Sequence, residues 1–175
     1  MVRRATTFIG ALLVVAAACG SGSPGRDEGA ARLPEGDDTT VTRIVDGDTL
    51  WVAPDTKVRL IGIDTPETHD PREPVQCFGA EATEFITSLV PVGTPVRLVY
   101  DVERLDRYDR TLAYVYRRAD GLFVNAELVE QGYAAAYTVP PDVAHADEFV
   151  ALEREARDAG RGLWSACGDV GVPAR

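Results

Sequence analysis

The segment that most constrains this chain is the turn Asp46-Gly47-Asp48, set between the β-rich runs 41–45 and 49–53. Strand formers on both sides of an Asp-Gly pair signal a hairpin, because glycine reaches backbone angles that other residues avoid. Two carboxylates therefore sit where two strands meet. Residues 57–63 read as a third strand that stops at Asp64-Thr65-Pro66-Glu67, since Pro66 has no N–H for a ladder and restricts Thr65 to extended conformations. Asp64 and Glu67 are thereby held at a strand end as well. Arg59 and Asp64 lie an odd number of residues apart, so an unbroken strand would point them to opposite faces. They share a site only if the strand bends, and Gly62 is the expected place.

Beyond this, residues 77–90 put Ala82, Phe85, Ile86 and Leu89 on one helical face, and Pro91 ends it. Residues 95–101 and 110–117 read as fourth and fifth strands, joined by a polar connection, with a turn at 119–121. A short helix at 125–131 stops at Gly132, and a longer one at 142–159 aligns Phe149, Leu152, Ala156 and Ala159. Five short strands with a helix after the third predict a mainly β fold with α additions: a five-stranded OB-fold barrel with about three helices. Such barrels bind oligonucleotides or oligosaccharides on an open face, and fold alone does not choose between them.

At the N-terminus, Arg3 and Arg4 precede the apolar run 8–18, which is short for a bilayer span but has the form of an export signal. It ends Ala16-Ala17-Ala18-Cys19-Gly20, which suits a lipoprotein-type site where Cys19 becomes the lipidated first residue. Ordinary cleavage after Ala18 is the alternative. The expected organisation is a signal peptide at 1–19, a Gly/Ser/Pro/acidic tether at 20–39, one domain at 40–168 and a tail at 169–175. The formal charge of −10 argues against loose electrostatic binding to a polyanion, so any grip on nucleic acid must come from a local basic patch.

Three ordered segments then carry a resemblance: Asp46-Gly47-Asp48-Thr49; Arg59-Leu60-Ile61-Gly62-Ile63-Asp64-Thr65-Pro66-Glu67; and Asp106-Arg107-Tyr108-Asp109-Arg110 with Leu112-Ala113-Tyr114-Val115-Tyr116. Together they resemble the signature of the thermonuclease, or staphylococcal nuclease, family, and Gly162-Leu163-Trp164 resembles its C-terminal close. The resemblance implies a Ca²⁺ ion held by Asp48, Asp64 and the carbonyl of Thr65, with Asp46 further out. It implies Glu67 as general base and Arg59 and Arg110 as the pair that grips the phosphate. A planar guanidinium fork complements phosphate oxygens, and hard carboxylate ligands suit calcium. Arg107 and Tyr108 match positions that hold a neighbouring phosphate, and Tyr137 a position near the nucleoside. Val139 stands where a second aromatic is usual, and Asp109 where glycine is usual, a position at which Asp tolerates a left-handed turn.

The implied activity is calcium-dependent hydrolysis of DNA and RNA to 3′-phosphate products by an exported monomer, tied to a membrane only through a lipid on Cys19. A catalytically silent nucleic-acid or protein binding module on the same barrel is the alternative. With Cys19 removed or lipidated, Cys77 and Cys167 remain as a pair, and export favours a disulfide between them that serves stability and stands apart from the chemistry. His69 and His145 are assigned no catalytic role.

Overall fold

The computed structural model describes residues 33–68 and 76–167. The expected signal peptide with Cys19, most of the tether, His69 and the tail lie outside the described residues. The chain runs β1 (Asp37–Ile44), β2 (Thr49–Val52), β3 (Thr56–Leu60), β4 (Gly62–Asp64), α1 (Gly79–Leu89), β5 (Pro95–Val99), β6 (Thr111–Arg117), α2 (Val124–Glu130), β7 (Ala135–Tyr137), α3 (Ala146–Asp158) and α4 (Leu163–Ala166). Strands β1-β2-β3-β6-β5 close into a barrel in which only β3 and β6 run parallel. This is the five-stranded OB-type barrel that the strand pattern predicts.

Period-two alternation builds the interior. Leu50 and Val52, Val58 and Leu60, and Val96 and Leu98 all face inward from their strands. Helices close the barrel with Ala82 and Ile86 from α1, Leu128 and Val129 from α2, and Phe149 and Ala156 from α3. Each such large aliphatic or aromatic side chain contributes about 1.5–3 kcal/mol when fully buried.

The third strand of the sequence reading is two strands in different sheets. Gly62 adopts φ +79, which ends β3 and starts β4, and a Cβ there would overlap the Phe149 ring. A fully buried Asn125 braces this corner: its Nδ2 donates to the Ile61 carbonyl and its Oδ1 accepts the Val115 N–H, both at 2.9 Å. Strand β4 leaves the barrel to pair with β7, with Gly62 opposite Tyr137 and Asp64 opposite Ala135. At three residues β7 is too short to show a period, and one-turn α4 raises the helix count among the described residues to four. The long helix starts at Ala146 and not at residue 142: the Asp142 backbone bridges back to Val139, and its Oδ1 accepts the N–H groups of Val102 and Glu103, both at 2.9 Å. Cys77 and Cys167 form a disulfide with an S–S distance of 2.04 Å, linking the approach to α1 with the end of α4.

Candidate active site

The acidic half of the site is built on the β2–β3 ladder. Thr49 pairs with Arg59 across it, and the Leu60 N–H donates to the Asp48 carbonyl at 2.8 Å, so Asp48 and Arg59 are neighbours by register. Gly47 lets the turn approach closely: a Cβ there would come within 2.8 Å of the Thr65 side chain and 2.9 Å of Ala82 Cβ. Asp48 and Thr65 are each only 6% exposed. The Asp48 carboxylate accepts the Thr65 N–H at 2.9 Å, the Thr65 hydroxyl at 3.0 Å and the Thr49 hydroxyl at 3.1 Å.

Across the Gly62 corner, β4 returns Asp64 to the same place. Arg59 Nη2 lies 3.2 Å from Asp48 and 2.9 Å from Asp64, while Nη1 donates to the Leu60 and Ile63 carbonyls. The bend expected at Gly62 is what lets Arg59 and Asp64 meet. The carboxylates outnumber this cation. Burial, then the charges of Asp48 and Glu67, push Asp46 up to about 6. Burial pushes Asp64 up to about 7 with help from Asp48, Glu67 and Asp46, and Arg59 only partly opposes it.

This donor set fits a hard divalent cation. Two carboxylates face each other across one guanidinium nitrogen, in a pocket of surplus negative charge, and carboxylate oxygens are hard ligands. Among the described residues no three His, Cys, Asp or Glu side chains form a metal group by themselves, so a cage here needs backbone or water oxygens as well.

Arg59 also forms a wall of a cavity of about 710 Å³, whose other walls include Arg107, Tyr108, Arg110 and Tyr137. The loop carrying three of these is organised by Asp106. Its Oδ1 accepts the N–H groups of Tyr108 at 2.8 Å and Arg110 at 3.0 Å, and its Oδ2 accepts Arg110 Nε at 2.6 Å. Burial works against ionisation of Asp106, but these N–H groups and the guanidinium hold its carboxyl below the usual range. Asp109 takes φ 60, the left-handed turn anticipated for it. Tyr137 reaches the cavity because β7 sets it opposite Gly62.

Asp48, Asp64, Thr65 and Asp46 thus cluster at the corner that Arg59 joins, and Arg107, Tyr108, Arg110 and Tyr137 line one cavity with Arg59. Glu67 stands near enough to Asp46 and Asp64 to raise both, and its Oε1 accepts the Thr68 N–H at 2.8 Å. His145 packs edge-on against Tyr114 and Phe123, and its Nδ1 lies 2.7 Å from Glu148. Sequence reasoning assigned no role to Asn125 or to the organising carboxylate of Asp106. The signal for Asn125 was a lone amide among Val124, Leu128 and Val129, one face of α2. For Asp106 it was an acid two and four residues ahead of the N–H groups it accepts.

Comparison with known proteins shows the family. Residues 57–166 match the family described as Staphylococcal nuclease homologue. The chain is 38% identical to a thermonuclease of Staphylococcus hyicus, over 71% of its own length and 74% of the relative's. It is 39% identical to a thermonuclease of Staphylococcus intermedius, over 74% and 77% respectively. Against endonuclease YncB of Bacillus subtilis (strain 168) the identity is 38%, over 75% and 63%. On these matches, and with a five-stranded barrel of the expected class, this chain belongs to the staphylococcal nuclease family.

Proposed function

We propose that the chain is an exported, Ca²⁺-dependent nuclease that hydrolyses phosphodiester bonds in DNA and RNA and leaves 3′-phosphates. The observation that carries this reading is Arg59: one side chain touches both corner carboxylates and walls the cavity that Arg110 shares. The named activities of the relatives point the same way.

Asp48, Asp64 and the Thr65 carbonyl would hold the ion, with Asp46 acting through water. Bound there, Ca²⁺ supplies Lewis acidity toward a phosphoryl oxygen and nearby water. Glu67 takes the proton of the attacking water as its oxygen bonds to phosphorus. Arg59 and Arg110 donate hydrogen bonds to the phosphoryl oxygens, whose charge grows as the P–O5′ bond breaks, and the departing 5′-oxygen is protonated from solvent. Arg107 and Tyr108 hold the adjacent phosphate and Tyr137 the nucleoside, with Val139 giving an aliphatic contact where a second ring would stack. The protein works as a monomer, delivered by the N-terminal signal and either released or retained by a lipid on Cys19.

Digestion of single-stranded DNA by the purified domain, with Ca²⁺ and with chelator, tests the reading. Cleavage that appears only with the ion is expected. Intact DNA in the presence of Ca²⁺, or equal cleavage with chelator, overturns it.

A further inference from the structure

We propose that Gln76 is a positioning residue for Glu67, and that the Cys77–Cys167 disulfide holds Gln76 in that role. The inference rests on the reading of Glu67 as the base. Gln76 exchanges two hydrogen bonds with this one residue. The Glu67 N–H donates to Gln76 Oε1 at 3.0 Å, and the Gln76 N–H donates to the Glu67 carbonyl at 2.9 Å. Both backbone polar groups of Glu67 are therefore gripped by a single partner, and the Thr68 N–H braces the carboxylate itself.

The first turn of α1 stands directly behind this pair. A Cβ on Gly79 would come within 2.6 Å of Thr68 Cγ2, 3.1 Å of the Pro66 carbonyl and 3.3 Å of the Glu67 carbonyl, so the helix start lies against the backbone of residues 66–68. Between Gln76 and that helix sits Cys77, bonded to Cys167 at the end of α4. That anchor is itself fixed, because Leu163 is fully buried and its N–H donates to the Gly132 carbonyl at 2.9 Å. The disulfide assigned to stability alone on sequence grounds is one peptide bond from the residue that holds the base.

Such a device has a reason. A general base must stand within hydrogen-bond reach of the water it deprotonates, and displacement by roughly 1 Å can cost about 10²-fold in rate. Glu67 follows Pro66, which has no N–H of its own to anchor the segment.

The test compares kcat and KM on single-stranded DNA with Ca²⁺, well below the melting temperature, with folding checked by circular dichroism. Gln76→Ala should lower kcat about tenfold and leave KM within about twofold, since it disturbs the base and not the phosphate grip. Gln76→Glu keeps an acceptor oxygen and should stay within about threefold of wild type. The Cys77→Ser/Cys167→Ser variant should lose kcat in the same direction by a smaller factor, and wild-type kcat in it overturns the disulfide's part. In a Glu67→Gln background, Gln76→Ala should cause no further loss, because a positioning residue has nothing left to position. If the alanine variant does not fold, Gln76→Asn, which draws the amide oxygen back by one methylene, takes its place. Wild-type kcat in Gln76→Ala beside an inactive Glu67→Gln overturns this inference and leaves the proposed function standing, as does a full additive loss in the double variant. Wild-type turnover in Glu67→Gln overturns the reading beneath it.

Discussion

The acidic corner and the arginine loop use the same kinds of side chain but are held by different forces. At the corner, Asp48 and Thr65 are nearly buried, and neither Gly47 nor Gly62 has room for even a methyl group. On the loop, Tyr108 is 63% exposed, and the carboxylate of Asp106 aligns Arg110 from within the loop. Close packing around buried hydrogen bonds sets positions at the corner, so changes there should cost stability and activity together. Hydrogen bonds set positions on the loop, so changes there should cost activity with little loss of fold.

The sharpest way to break this contrast is to withhold the proposed ion. Chelation should abolish cleavage, Ca²⁺ should restore it and Mg²⁺ should do so poorly, because carboxylates supplemented by a backbone carbonyl make a loose cage. Added Ca²⁺ should also raise the melting temperature by binding only the folded corner. A melting curve and a digestion assay read both, and a flat response in each would detach the corner from metal binding.

Next in size come the groups proposed to act on the phosphate. Glu67→Gln and Arg110→Ala should each lower turnover by about 10²–10⁴-fold. Arg110→Ala should melt within a few degrees of wild type. A large loss of stability in that variant would erase the distinction between loop and corner.

Gly62→Ala sharpens the other side. The positive φ and the overlap with Phe149 should together cost about 2–4 kcal/mol in a denaturant titration, with activity falling alongside. Full stability would show that the corner has slack.

The smallest effect belongs to Asp106→Asn, which keeps shape and removes charge. It should lower kcat about tenfold through a looser Arg110. Because the folded carboxyl lies below its ordinary value of 3.8, its contribution to stability is fully present above that value. It is lost as pH falls through the folded value. The stability gap between wild type and Asp106→Asn should therefore be larger at neutral pH than at pH 3, as measured by denaturation at both.

Much of this was legible in the chain because it is local. Alternation from β1 to β3 and the Asp-Gly turn specify a hairpin within a dozen residues, and the carboxylates and arginines stand in short ordered segments. Asp109 could be assigned a left-handed turn from its neighbours alone, and φ 60 bears that out. The break between β3 and β4 was readable only as a conflict of parity, since apolar residues continue across it. Its depth comes from Phe149, which arrives from α3 far along the chain.

By itself, then, the sequence determined which chemistry is on offer: hard oxygen ligands at strand ends, guanidinium forks, a barrel of short strands and a cysteine pair. Turn propensity, side-chain periodicity and functional-group chemistry act over a few residues and survive without a fold. Tertiary structure alone decided who meets whom. It set Arg59 Nη2 between two carboxylates, brought Tyr137 opposite Gly62 through a three-residue strand, and closed Gln76 onto Glu67 beside the disulfide. Each of these pairings depends on the direction of elements that only packing of the barrel against its helices can fix, and no local pattern encodes that direction.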